Sequence, residues 1–238
     1  HHEQACAMAA EAYARVDNHM AAVCVTTGPG ATNAITGVLG GWMDSIPMIV
    51  FSGQARYATT VPASGLPLRS MGVQECDIVP VITPLTKYAV MVIRPEEIRY
   101  HLEKALYLAS NGRPGPVWLD IPLDVQGAII ETEELKGYDP AENPEQIPAE
   151  IPGETIKKIL DKIVESSRPV LFPGNGVRLS GAIEDFHRLA EVLGVPVITG
   201  MSSVDAIESD HPYFVGRSGS TGTRPGNFAL QNSDLLLS

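Results

Sequence analysis

The chain has 238 residues, 44% of them hydrophobic and 19% charged, and no apolar run reaches the length needed to cross a bilayer, so a soluble globular protein of one or two domains is expected. Its net charge of −11 argues against a broad basic surface for nucleic acid or anionic membrane and leaves small-molecule chemistry or protein contacts. Cys6, Cys24 and Cys76 are odd in number and lack the spacing of zinc or redox motifs; beside apolar segments they are expected to be buried thiols in a reducing cytoplasm, and no signal peptide is seen.

Residues 3–16 (EQACAMAAEAYARV) are rich in alanine, with Ala5, Ala9, Ala12 and Val16 at helical spacing, which predicts a helix. Ala21 to Thr27 is a short apolar, β-branched run ending in Gly28-Pro29-Gly30, a buried strand entering a tight turn. A helix over 31–43 follows. Its Gly37, Gly40 and Gly41 weaken it unless another backbone packs closely there. Residues 46–52 (IPMIVFS) predict another buried strand, and Gly53, Pro62, Gly65 and Pro67 mark a long loop of the kind that often carries function.

Pro95 opens a helix whose stripe is Ile98, Leu102, Ala105, Leu106 and Ala109, closing near Asn111-Gly112, and residues 116–121 (PVWLDI) form a strand. Strands alternating with helices call for a doubly wound parallel sheet. Residues 127–153 turn acidic and proline-rich and are expected to be a linker between a first domain over 1–126 and a second over 154–238. The second is expected to be a Rossmann-like α/β domain: helix 154–165, strand 169–172, helix 181–193 and strand 195–199. DLLLS at 234–238 reads as the start of a further strand, so this domain is expected to be incomplete.

Pro173-Gly174-Asn175-Gly176 lies between a strand and a helix, where backbone N–H groups can meet phosphate; it lacks the third glycine of the dinucleotide fingerprint, and packing explains it equally well. Gly28 to Asn33 has the same strand-to-helix setting. Glu3, in a helix's first turn, is by itself ordinary dipole chemistry. His2, His19, His101, His187 and His211 show no metal-ligand spacing, and no serine nucleophile elbow is present. No metal site is expected in the chain.

Taken together, HHEQACAMAAEAYAR, VTTGPGATNAITGVLGGWMDSIPMIVFSGQ and GRPGPVWLDIP, in that order, resemble the pyrimidine-binding domain of the acetolactate synthase-like, thiamine-diphosphate-dependent enzymes. RPVLFPGNGVRLSGAIEDFHRLAEVLGVPVITG is similar, more loosely, to that family's central domain. The resemblance implies that Glu3 is the catalytic glutamate that hydrogen-bonds N1′ of the cofactor's aminopyrimidine, with a pKa expected to be raised by desolvation. It implies that Pro29 and Asn33 line the pyrimidine pocket, that Gln74 projects toward the reacting carbonyl, and that Lys87 lies near the substrate channel. Val73 and Tyr88 depart from residues common in synthases, which leaves the substrate open. Gly174 and Gly176 resemble part of a site that holds FAD in synthases, and FAD stays open. The family holds magnesium and diphosphate through Gly-Asp-Gly and Asn-Asn segments that have no match here, and its opening strands are not seen. The resemblance therefore implies a fragment of a cytoplasmic, homodimeric 2-keto acid carboligase or decarboxylase, inactive alone. The rival expectation is a non-catalytic nucleotide-binding or interaction module that kept the fold.

Overall fold

The computed structural model describes residues 2–144 and 150–238. The chain divides into two compact units, His1–Ile147 and Pro148–Ser238. In the first, four strands, β1 (Ala21–Val25), β2 (Met48–Gln54), β3 (Tyr88–Met91) and β4 (Pro116–Pro122), form one sheet in the order β1-β2-β4-β3. Every pair is parallel, with Ala21 opposite Met48, Met48 opposite Pro116 and Tyr88 opposite Val117.

Side chains alternate between the two faces of this sheet. Val23, Met48, Val50 and Trp118 pack on α1 (Glu3–Asp17) and α2 (Pro29–Met43), while Ile49, Val117 and Leu119 pack on α5 (Ile98–Ser110). Because both faces are covered, β2 and β4 read as near-continuous apolar runs. The expected doubly wound sheet is what forms. β3 escaped the sequence reading: it has four half-buried residues at the sheet edge. Three short helices, α3 (Val61–Ser64), α4 (Val79–Ile82) and α6 (Leu123–Gln126), punctuate the loops.

In α1 the buried residues are Ala7, Ala10 and Ala14, and the stripe of Ala5, Ala9, Ala12 and Val16 expected from spacing faces outward. An alanine-rich helix has too little hydropathy contrast to announce its inner face. Close approach chooses it instead: a Cβ on Gly37 of α2 would lie 2.6 Å from Ala7 Cβ, and one on Gly41 would lie 2.8 Å from Met48 Sδ. The glycines of α2 thus have the packing reason anticipated, although Gly40 meets only ordinary contacts. The helix ends at Asn18 in the left-handed conformation, its N–H on Ala14 O.

Part of the expected linker lies on α5. Tyr138 N donates to Glu103 at 2.8 Å, Tyr100 OH donates to Glu142 at 2.6 Å, and Lys104 Nζ stands 5.3–5.6 Å from the rings of Tyr88, Tyr100 and Tyr138. Residues 145–149 of that stretch fall outside the described residues.

The second unit has its own parallel sheet, β5 (Pro169–Leu171), β6 (Val197–Thr199), β7 (Phe214–Arg217) and β8 (Leu235–Leu237), in the order β7-β6-β5-β8. Its helices are α7 (Gly153–Glu165), α8 (Gly176–Leu179), α9 (Ile183–Leu193) and α10 (Arg224–Asn232). Leu171 and Val197 meet Phe186 and Ala190 of α9 in the core. Neither β7 nor α10 was anticipated from the sequence. Asp234 ties the start of β8 to the approach to β5 by accepting from Ser166 Oγ, Ser167 N and Arg168 N.

Candidate active site

The parallel strands of the first unit end together, and beyond their C-terminal ends lies an open cleft of about 990 Å³. Val25, Phe51, Ile121 and Leu123 give it apolar walls, and Glu3, Thr27, Ser52 and Gln54 give it polar points. Crevices at the carboxyl ends of parallel strands are where α/β folds bind ligands.

Glu3 reaches the cleft from the first turn of α1. Asn33 of α2 donates from Nδ2 to Glu3 Oε2 at 2.9 Å, so one carboxylate oxygen is held by the protein. The other lies over Gly30, 3.6 Å from where a Cβ would stand there. Asn33 first, then the Glu3 backbone N–H, hold the Glu3 carboxyl below its ordinary pKa. This corrects the expectation of a raised value: in this chain the carboxylate is partly exposed, and hydrogen bonds to the charged form outweigh the small desolvation.

Pro29 opens α2 directly after Gly28, which has φ +57. A Cβ on Gly28 would sit 1.9 Å from Gln74 O, so the loop bearing Gln74 rests its backbone on this turn. Gln74 itself has φ +56 and an exposed side chain. Glu3, Pro29, Asn33 and Gln74 are therefore gathered at one corner, where α1, the β1–α2 turn and the loop after β2 meet.

Lys87 is not among them. Its backbone N–H donates to Pro116 O and its Nζ to Asn111 O, which places it beside the N-terminal end of β4. That seven-residue strand spans roughly 20 Å from there to the cleft. Lys87 instead lines a smaller hollow with Trp42, Met43, Arg113 and Pro114.

The cysteines also depart from expectation. Cys6 and Cys24 are exposed and line the cleft, and Cys76 is half-buried. β1 is an edge strand with alternating burial, so Cys24 sits on its open side.

Sequence reasoning missed Ser52, Gln54 and Asp120. All three are buried at the C-terminal ends of β2 and β4, and burial pushes the Asp120 carboxyl up to about 6. A signal was present, since each is a polar residue inside an otherwise apolar strand.

In the second unit Gly174 and Gly176 follow β5. A Cβ on either would meet nothing within 4 Å. Near them, at the end of β6, Thr199 is fully buried and its Oγ1 finds no hydrogen-bond partner among the described residues. Numbered within the unit, the strand order is 3-2-1-4, whose reversal beside β5 is the place where such folds take dinucleotides.

No helix among the described residues is long and apolar enough to cross a membrane. Residues 1–81 match the family described as thiamine pyrophosphate enzyme, N-terminal TPP binding domain, and residues 156–238 match thiamine pyrophosphate enzyme, central domain. Among curated proteins the chain is 38% identical to a probable acetolactate synthase large subunit of Methanocaldococcus jannaschii, over 99% of this chain and 39% of the relative. It is 37% identical to the acetolactate synthase large subunit of Haemophilus influenzae, over 99% of this chain and 40% of the relative. With the Escherichia coli acetolactate synthase isozyme 3 large subunit the identity is 33%, over the same shares. The chain spans about 40% of the length of these relatives.

Proposed function

Because this chain belongs to the thiamine pyrophosphate enzymes, whose N-terminal and central domains it carries, we propose that its first unit binds the aminopyrimidine of thiamine diphosphate and that Glu3 activates it. The observation that carries the reading is the Glu3–Asn33 hydrogen bond of 2.9 Å at the mouth of the cleft. One carboxylate oxygen is fixed by Asn33 and the other is left for a ligand. The walls of Val25, Phe51 and Ile121 suit a flat heteroaromatic ring with one basic nitrogen.

When bound, the cofactor supplies a carbon nucleophile that takes up a 2-keto acid. Glu3 shares a proton through Oε1 with the ring nitrogen N1′. Asn33 keeps the carboxylate aimed, and its pull on the pKa is offset once the ring covers the carboxylate and excludes water. Pro29 forms the rigid edge of the pocket, and Gln74 presents its amide to the keto acid.

The reaction is a carboligation or decarboxylation of a 2-keto acid in a longer, homodimeric, cytoplasmic parent, in which magnesium and the diphosphate are held outside this chain. The share of relatives that the chain covers supports the longer parent. By this reading the chain alone is inactive. The second unit holds a dinucleotide such as FAD at Gly174 and Gly176, a reading supported by the strand order, the open turn and the unpartnered Thr199 hydroxyl.

The test is Glu3→Gln in the full-length enzyme, followed by proton–deuterium exchange at cofactor C2. Exchange is expected to be lost while thiamine diphosphate still binds. Exchange at the wild-type rate overturns the assignment.

A further inference from the structure

Behind the cleft is a buried polar cluster that the proposed chemistry leaves unused. Asp120 is fully buried and faces Ser52 across the β2–β4 ladder. Ser52 Oγ donates to one of its oxygens, and Trp118 Nε1 in turn donates to that hydroxyl at 2.8 Å. Gln54 Nε2 donates to the other oxygen at 3.0 Å.

The same Gln54 amide makes three more bonds. Nε2 also donates to Cys76 O at 2.8 Å, and Oε1 accepts from Thr27 Oγ1 at 2.7 Å and from Ala55 N at 2.9 Å. An amide offers two donors and two acceptor sites, and all four are taken. Its orientation is therefore fixed, and four separate segments meet on it: the end of β1, the exit of β2, the loop carrying Gln74, and β4. A buried carboxylate met by hydrogen-bond donors alone is costly to keep in a core. Holding Gln54 is a function that accounts for its presence.

Gln74 lies two residues before Cys76, and its carbonyl rests on Gly28. A bond at Cys76 and the contact of Gln74's own carbonyl with Gly28 thus fix the stretch from Gln74 to Cys76. We propose that Gln54, anchored on Asp120, is the positioning residue that holds the Gln74 loop against the Gly28 turn and so sets Gln74 relative to Glu3. The inference rests on the reading of Glu3 and Gln74 as site residues.

Gln54→Glu keeps the shape and the acceptor for Thr27 and Ala55, but turns an oxygen toward the Asp120 carboxylate and the Cys76 carbonyl. Adding Asp120→Asn gives that oxygen a donor again without restoring the bond to Cys76. The pair separates stability from positioning.

In the full-length enzyme the double variant is expected to recover part of the melting temperature that Gln54→Glu loses. Its amides over residues 72–78 should nevertheless exchange at least about tenfold faster than wild type. Its kcat should fall about 10- to 100-fold while the dissociation constant of thiamine diphosphate stays within about threefold. Wild-type loop exchange and wild-type kcat in the double variant overturn the proposal. Thr27→Val, which removes the hydroxyl's bonds to Gln54 Oε1 at 2.7 Å and to the Gln74 carbonyl at 3.5 Å, keeps the question open to test if Gln54→Glu or the double variant does not fold: faster exchange over 72–78 is expected, and unchanged exchange counts against the proposal. Glu3→Gln, measured alongside, separates the two ideas. If it leaves C2 exchange intact, the reading of Glu3 fails, while loop exchange still decides whether Gln54 positions the loop.

Discussion

Gly28-Pro29-Gly30 after β1 and Gly174-Asn175-Gly176 after β5 look alike in sequence, each closing a parallel strand and opening a helix. Their surroundings differ. Around the first, the chain fills every space a side chain would use: Gln74 O against Gly28, Thr26 Cγ2 against Gly30. Behind it, Asp120, Ser52, Gln54 and Trp118 satisfy one another. Around the second, Gly174 and Gly176 face open space, and the buried hydroxyl of Thr199 has no partner among the described residues. A glycine that its own protein needs says little about ligands. One that its protein does not need points outward, to whatever approaches the backbone there.

The contrast can be broken most forcefully at Gly28. Gly28→Ala adds a carbon 1.9 Å from a backbone oxygen at φ +57, and is expected to cost about 3–5 kcal/mol, read by chemical denaturation of the chain. The same substitution at Gly174 should change the unfolding free energy by less than about 0.5 kcal/mol. Equal costs at the two positions would erase the distinction.

Next in size is a pH effect confined to the first unit. Burial raises Asp120 to about 6, against an ordinary carboxylate value near 4. Between these values the folded state keeps a proton that the unfolded chain releases. Stability from this group is therefore greatest below about pH 4, declines by about 3 kcal/mol as pH rises to about 6, and is level above. Asp120→Asn should flatten that slope in denaturation series from pH 4 to 7.

Gly37→Ala is expected to cost about 1–2 kcal/mol, because the clash with the Ala7 and Met8 backbone exceeds the roughly 1 kcal/mol gained in helix propensity. Smallest of all, Thr199→Val should leave the chain's stability unchanged or slightly higher, since it removes a buried hydroxyl that makes no bond. Flavin fluorescence titration of the same variant should show weaker binding. Unaltered flavin affinity there and in Gly174→Ala would return the second turn to a purely structural role.

Much of this was legible in the residues. Strands announce themselves as apolar runs: β2 and β4, with both faces covered, were visible that way, as were β1, β5 and β6. The Glu3, Pro29 and Asn33 corner came from the company of three motifs, since a lone glutamate in a first turn carries no such message. What stayed hidden has physical causes. β3 and β7 lie at the edges of their sheets, with few fully buried residues. The inner face of α1 was misread because alanine on every side gives no contrast. Asp120 and Gln54 were passed over as ordinary strand residues, because their significance lies in partners up to 68 positions away. Lys87 was associated with the site by its motif, but the direction of β3 and β4 puts it at the other end of the sheet.

The contact of Gly37 with Ala7 has a consequence for how the sequence can drift. Neither residue carries chemistry, yet together they set the spacing of α1 and α2, and with it whether Asn33 reaches Glu3. Positions 7 and 37 should therefore stand out in a saturation mutagenesis map as intolerant of larger side chains, with Gly37→Ala showing a milder loss than changes at position 3. Such a map would show a functional site wider than the set of residues that touch the ligand.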